Sequence, residues 1–214
     1  MVGLDSVRFD TSDFSLSEQE IVHSRTESVR AWSTAEGDGV GLFFFSLPPD
    51  LAGPIDDLAS IRQQYRRAGA AIIEVEPLRL DGCDGLRVIV KVPQSPHGMT
   101  YVGGLTLPFR DCSWVLKAQC QERGTTGVRD AVILDRRIAD VKLPSLEGWQ
   151  RDPYEPGFRA PLQRNLSEAE EYDAEFPDHP LSRLRRLLPR LSDTLRVGDE
   201  VRALPPFRGP SRKP

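Results

Sequence analysis

The chain has 214 residues, of which 39% are apolar and 28% charged, with a net charge of −4. That composition belongs to a globular chain able to bury a core, and the length suits one domain with an appendage. Residues 1–150 hold 16 basic against 21 acidic side chains and residues 151–214 hold 12 against 11, so neither part has the basic balance of a nucleic-acid binder.

In chain order, residues 1–27 are polar, with a short extended candidate at Ser6–Asp10. Ser28–Thr34 alternates Val29 and Ala31 with Arg30 and Trp32, the pattern of a strand, and Glu36–Gly39 reads as a tight turn. Val40–Ser46 follows with Leu42, Phe43, Phe44 and Phe45. Both faces of that run are apolar, which predicts a central strand covered on two sides. Ile55, Leu58, Ile61 and Tyr65 recur at helical spacing and predict an amphipathic helix over Pro54–Ala68, with Gly69 at its stop.

Four strands are predicted next, at Ala71–Leu78, Leu86–Val92, Met99–Leu107 and Cys112–Gln121, joined by short turns as an antiparallel meander. Gly103 and Gly104, inside the third of these, suggest a bulge or a close backbone approach rather than a phosphate loop. A second helix is predicted at Thr126–Ala139, with Val128, Val132, Leu134 and Ile138 as its apolar positions. The order of two strands, a helix, four strands and a helix predicts an α+β fold, a mainly antiparallel sheet with packed helices, over residues 1–143.

Residues 144–178 form a connecting segment rich in proline and aromatic residues, including Trp149, Tyr154 and Phe158. Residues 179–197 regain helical spacing through Leu181, Leu184, Leu188 and Leu191, with Pro189 expected to kink or split the helix. Residues 198–214 read as a flexible tail. The leucine stripe beside Arg183, Arg185 and Arg186 fits docking on the chain's own domain, binding of a partner, or contact with a membrane surface.

A search for chemistry finds no P-loop, no dinucleotide fingerprint and no zinc-spaced cysteines. His23, His97 and His179 fall in three separate segments, so no metal site is expected. Cys112 and Cys120 lie on one predicted strand about 26 Å apart at ~3.3 Å per residue, too far for a disulfide. Both are read as small core residues in a reducing cytoplasm. No stretch approaches the ~20 apolar residues of a membrane span, and Met1–Asp5 lacks the basic-then-apolar start of a signal peptide. Arginine outnumbers lysine 24 to 4, which reads as the coding bias of a GC-rich bacterial genome.

Ser28–Val141, with its meander ending in the Trp-bearing strand Cys112-Ser113-Trp114-Val115-Leu116 and a helix starting near Thr126-Gly127-Val128-Arg129, resembles the Mog1/PsbP-like group of α/β/α sandwiches. The resemblance rests on element order and implies a non-enzymatic binding or accessory role, such as a secretion chaperone or a toxin-neutralising protein. The expectation is therefore a cytoplasmic protein without a cofactor whose partner is another protein. It would act through a sheet face or the C-terminal segment, with Trp149, Tyr154, Phe158, Leu181, Leu184, Leu188 and Leu191 as docking residues. Self-association through the leucine stripe, and a small-molecule binder or enzyme whose site is assembled from distant residues, are the alternatives.

Overall fold

The computed structural model describes residues 2–16, 21–24 and 27–210, the side chains of 21–24 and 27 excepted. The fold is α+β, built on an antiparallel sheet. Its strands are β2 (Ser15–Leu16), β3 (Ile21–Ser24), β4 (Glu27–Ser33), β5 (Gly39–Phe45), β6 (Ala71–Leu80), β7 (Cys83–Pro93), β8 (Met99–Pro108) and β9 (Ser113–Gln121). The order across the sheet is β2-β4-β5-β9-β8-β7-β6, and β3 also pairs with β4. Thus β6–β9 form the meander that their alternation predicts, and its last strand closes against β5. A separate ribbon pairs β1 (Val7–Arg8) with β10 (Arg196–Val197).

Among the described residues four helices accompany the strands: α1 (Leu58–Arg67), α2 (Val128–Arg136), α3 (Pro180–Thr194) and α4 (Asp199–Arg202). Helix α1 starts later than its apolar spacing suggests. Asp57 caps it, accepting a hydrogen bond from the Ser60 amide at 3.2 Å, and Pro54 lies in the preceding turn. In α2 the buried positions are Arg129 and Ile133, whereas Val128 and the following Ile138 stay exposed. The stripe read from the sequence was the wrong one, because a buried arginine does not count in an apolar pattern.

Helix α3 lies across β8 and β9. Leu181, Leu184, Leu188 and Leu191 are buried in one core cluster with Tyr101, Leu105, Trp114 and Leu116. Register explains where it sits. Val40, Ala118 and Gly103 face one another across β5, β9 and β8, a row of small side chains that forms a trough. A Cβ placed on Gly103 would lie 2.7 Å from Leu188 Cδ1 and 2.9 Å from Leu184 Cδ1, so the helix approaches as closely as a bare backbone permits. Pro189 does not split α3, which runs unbroken from Pro180 to Thr194. Its missing N–H and its ring fall on the exposed side.

On the opposite face, α1 packs Ile61 into a cluster with Ile72, Val75, Leu86, Val88 and Val90 of β6 and β7, joined by Val102 of β8. Phe43 and Phe45 point to this second face of β5 but lie beyond α1. They stack on each other, centroids 6.3 Å apart, and stay half-exposed. The expectation of a β5 covered on both sides is thereby corrected, because α1 has no apolar side chains left to reach it.

Residues 198–210 are not a loose tail. Val201 and Phe207 are buried, Phe109 bridges Pro206, and the Arg110 amide donates to Pro205 O. Residues 211–214 lie outside the described part.

Replacing Gly103 with Ala should cost about 1–3 kcal/mol by overpacking, and Leu188→Ala about 2–5 kcal/mol through the cavity it leaves. Because the truncated leucine vacates the space the new methyl needs, the double variant should be less destabilised than the sum. Urea unfolding of the four proteins measures this, and strict additivity would contradict the seating of α3 described above.

Candidate functional site

The connecting segment folds over the domain as a strap and pins itself with the aromatics singled out in the sequence. Trp149 is buried against Ile133 and Val141. Tyr154 Oη accepts the Val75 N–H at 2.8 Å, and the Arg62 guanidinium lies 3.5 Å above its ring while donating to Val75 O. Two polar groups on the outer edge of β6 are satisfied in this way. Phe158 lies 4.8 Å from the Arg66 guanidinium, which holds Asp152 through both its oxygens at 2.7 and 3.0 Å. All seven docking residues therefore meet the chain's own domain, Trp149, Tyr154 and Phe158 through the strap and the four leucines through α3.

Where strap, sheet and α3 meet, a polar cluster is buried. Lys91 and Tyr101 face each other across β7 and β8. Glu168, fully buried, accepts from both: Lys91 Nζ lies 2.8 Å from Oε1 and Tyr101 Oη donates to the same oxygen at 2.5 Å. The Asn165 amide donates to its Oε2 at 2.7 Å. Burial, then the Glu168 carboxylate, push the Tyr101 phenol well above its ordinary value, which keeps it a donor. Arg129, 1% exposed, donates to Ser167 O, Ala169 O, Asp173 and Ser182, so α2 is tied to both strap and α3. None of these groups is free to meet a substrate.

Beside this cluster lies a cleft of about 550 Å³, between the start of α2, the strap end at Phe176–Asp178 and the N-terminus of α3. His179 caps α3, its Nδ1 accepting the Leu181 amide at 3.3 Å. Burial, then the positive charges of Arg129, Arg183, Lys91 and Arg185, lower its pKa to about 3. The ring is neutral, with its proton on Nε2. Glu122 lies opposite, its oxygens accepting the Gly127 amide at 3.0 Å and the Met99 amide at 2.7 Å. At the rim Asp38, 3% exposed, joins Arg183 and Arg123. In the sequence His179 falls in a segment apart from the other two histidines. Its position before Pro180, opening a leucine-striped helix, was the available signal for a cap.

Cys112 and Cys120 are buried, all three thiols are free, and burial raises the thiol pKa of both. Such thiols are poor nucleophiles. Among the described residues no group of His, Cys, Asp and Glu is arranged to hold a metal ion, and no helix is long and apolar enough to cross a membrane.

A second candidate surface is the half of the sheet that α1 leaves bare. Gly41, Lys117 and Gly104 form one row of it, and Phe43, Val115 and Thr106 the next. The Phe43 ring lies over Gly41, where an added Cβ would sit 2.8 Å from it, and Lys117 Nζ lies 5.2 Å from the ring centre. Lys117 pairs with no carboxylate among the described residues.

No protein-family model matches the chain, and no curated protein does. Among solved structures, the human StAR-related lipid transfer protein 5 is 8% identical over 60% of this chain and 81% of that one, with a TM-score of 0.21. A likeness of that size carries no argument about fold or function.

Two predictions follow from the buried groups. Lys91→Met strands a buried carboxylate and should cost about 3–5 kcal/mol in chemical unfolding, with part of the loss restored when Glu168→Met is added. An unchanged stability in Lys91→Met would show that the buried pair contributes nothing. For His179, the folded pKa lies below the unfolded value, so its contribution is complete above pH 6.5 and is lost as pH falls towards 3. Between pH 6.5 and 5 this should add up to ~1.4 kcal/mol of lost stability per pH unit. His179→Asn, which retains a side-chain oxygen for the Leu181 amide, should flatten that slope, and equal slopes in both proteins would refute the assignment.

Proposed function

We propose that the protein is a non-enzymatic binding or accessory protein that engages a partner protein through the face of β5 and β9 that carries Phe43, Phe45, Val115 and Lys117. The observation that carries this reading is the bare row on β5 and β9. A stacked phenylalanine pair, Val115 and a lysine that pairs with no carboxylate among the described residues share one side of β5 and β9, whose other side packs Leu42, Trp114, Leu116 and Ala118 into the core. Sheets with one solvated face ordinarily present polar residues there, so adjacent half-exposed aromatics on that face favour recognition. The C-terminal leucines are taken up by the core, which leaves the sheet face as the surface to offer. Its chemistry suits a partner segment that is apolar and acidic: aromatic and aliphatic contacts at Phe43, Phe45 and Val115, and a carboxylate for Lys117.

The non-catalytic part of the reading is supported by the state of the reactive groups. The Cys120 thiol is held up by burial, and His179 Nδ1 is occupied by a backbone amide. The free thiols suit a reducing cytoplasm.

The test is capture from native extract with the full chain, followed by reconstitution with the identified partner after purification. Lys117→Glu and Gly41→Ala should each weaken that complex at least tenfold with little change in melting temperature. The first reverses the charge, and the second pushes the Phe43 ring out of its place over the strand. A partner that binds both variants as tightly as the parent would place recognition elsewhere. A parent protein that recovers only itself would replace the partner with a second copy of this chain.

A further inference from the structure

The geometry points to a small-molecule site in the cleft at the start of α3, one that takes an uncharged hydroxylated compound with an apolar face and holds its hydroxyl between His179 Nε2 and Glu122 Oε1. This site is separate from the proposed sheet interface and stands on its own observations.

The first observation is an unmet donor. The His179 side chain is 9% exposed. Its Nδ1 accepts from Leu181, so the proton is on Nε2. Glu122 Oε1 lies 4.0 Å away, too far for a hydrogen bond. The residue lines a cleft of about 550 Å³, within the ~300–1,000 Å³ range of ligand sites, so a bound group in that cleft can meet the N–H.

The second observation is the acceptor opposite. Glu122, 10% exposed, is pinned by two backbone amides and keeps lone pairs on both oxygens. A hydroxyl oxygen about 2.8 Å from each group closes the gap, accepting from Nε2–H and donating to Oε1. An ammonium cannot accept the imidazole proton, and a carboxylate meets Glu122 as a like charge. The rim arginines do not reverse this, because Arg123 and Arg183 are both committed to Asp38. Val128, Phe176 and Pro177 give the cleft an apolar wall, with Val128 47% exposed, and Glu36, Thr125, Glu175 and Asp178 line the remainder beside the arginines. The site sets a polar fixing point against that wall, a pairing found in ligand pockets.

The probes are phenol and cyclohexanol, with toluene and benzoate as controls, added to the full chain carrying ¹⁵N-labelled histidine. Both alcohols should shift the His179 Nε2 resonance saturably, and toluene and benzoate should bind at least tenfold more weakly. His179→Asn should abolish the preference for the hydroxyl. Val128→Glu, a surface change in the first turn of α2 where an acidic residue is tolerated, should weaken phenol at least threefold without altering the fold. It keeps the test decisive if His179→Asn does not fold. Toluene binding as well as phenol, benzoate binding better, or no saturable shift with either alcohol would each overturn the proposal.

Discussion

The contact on which the rest of the structure depends is the seating of α3 in the trough over Gly103 and Ala118. A helix whose leucines recur every three to four residues must bury them, and the meander alone gives it nowhere to go unless one row across the sheet is small. Gly103 supplies that row. Once α3 is seated, its cap His179 lies beside Glu122 and Tyr101, and the strap leading to it crosses β7 and β8 at Lys91 and Tyr101. The cleft, the buried carboxylate and the uncovered sheet face all follow from this one placement.

The strap shows a second constraint. It carries too few apolar residues to hold itself by burial alone, and its attachment is correspondingly polar: Glu168 to Lys91 and Tyr101, Asp173 to Arg129 and Arg185, Asp152 to Arg66. Buried ion pairs of this kind add little net stability, because desolvation offsets most of the attraction. They do fix geometry, since each charge has one place where its partners are complete. The strap is thereby held in one register, and with it the cap of α3.

Much of the sheet was legible in the sequence because period-two alternation reports a half-buried strand directly. Leu86, Val88 and Val90, and Trp114, Leu116 and Ala118, are read correctly as single faces. The errors have one physical origin, which is that burial of polar groups leaves no apolar pattern. Arg129 is more deeply buried than Val128 next to it, and the strap's anchors include Glu168 and Asn165, polar side chains that leave no apolar pattern. Residues 198–210 show the converse: prolines and arginines suggest disorder, while a few side chains, Val201, Leu204 and Phe207, dock the segment on the core. The candidate cleft was invisible because His179 and Glu122 are 57 positions apart in the chain and meet only through α3.

Why the β5–β9 face stays bare while the other is packed is a matter of helix supply. The chain has two helices long enough to cover several strands from the core side, α1 and α3, and each commits to one face. The α1 stripe ends with Ile61 and Tyr65 over β6 and β7, and α2 gives its only deeply buried apolar side chain, Ile133, to Trp149 and Val141 of the connecting region. No apolar helix face remains for Phe43, Phe45 and Val115. A chain under selection only for stability would place polar residues on those strands, as it does at Gln119 and Gln121 two and four positions beyond Lys117. The contrast within one strand, polar at one end and apolar beside Phe43 at the other, locates the surface that a partner would complete.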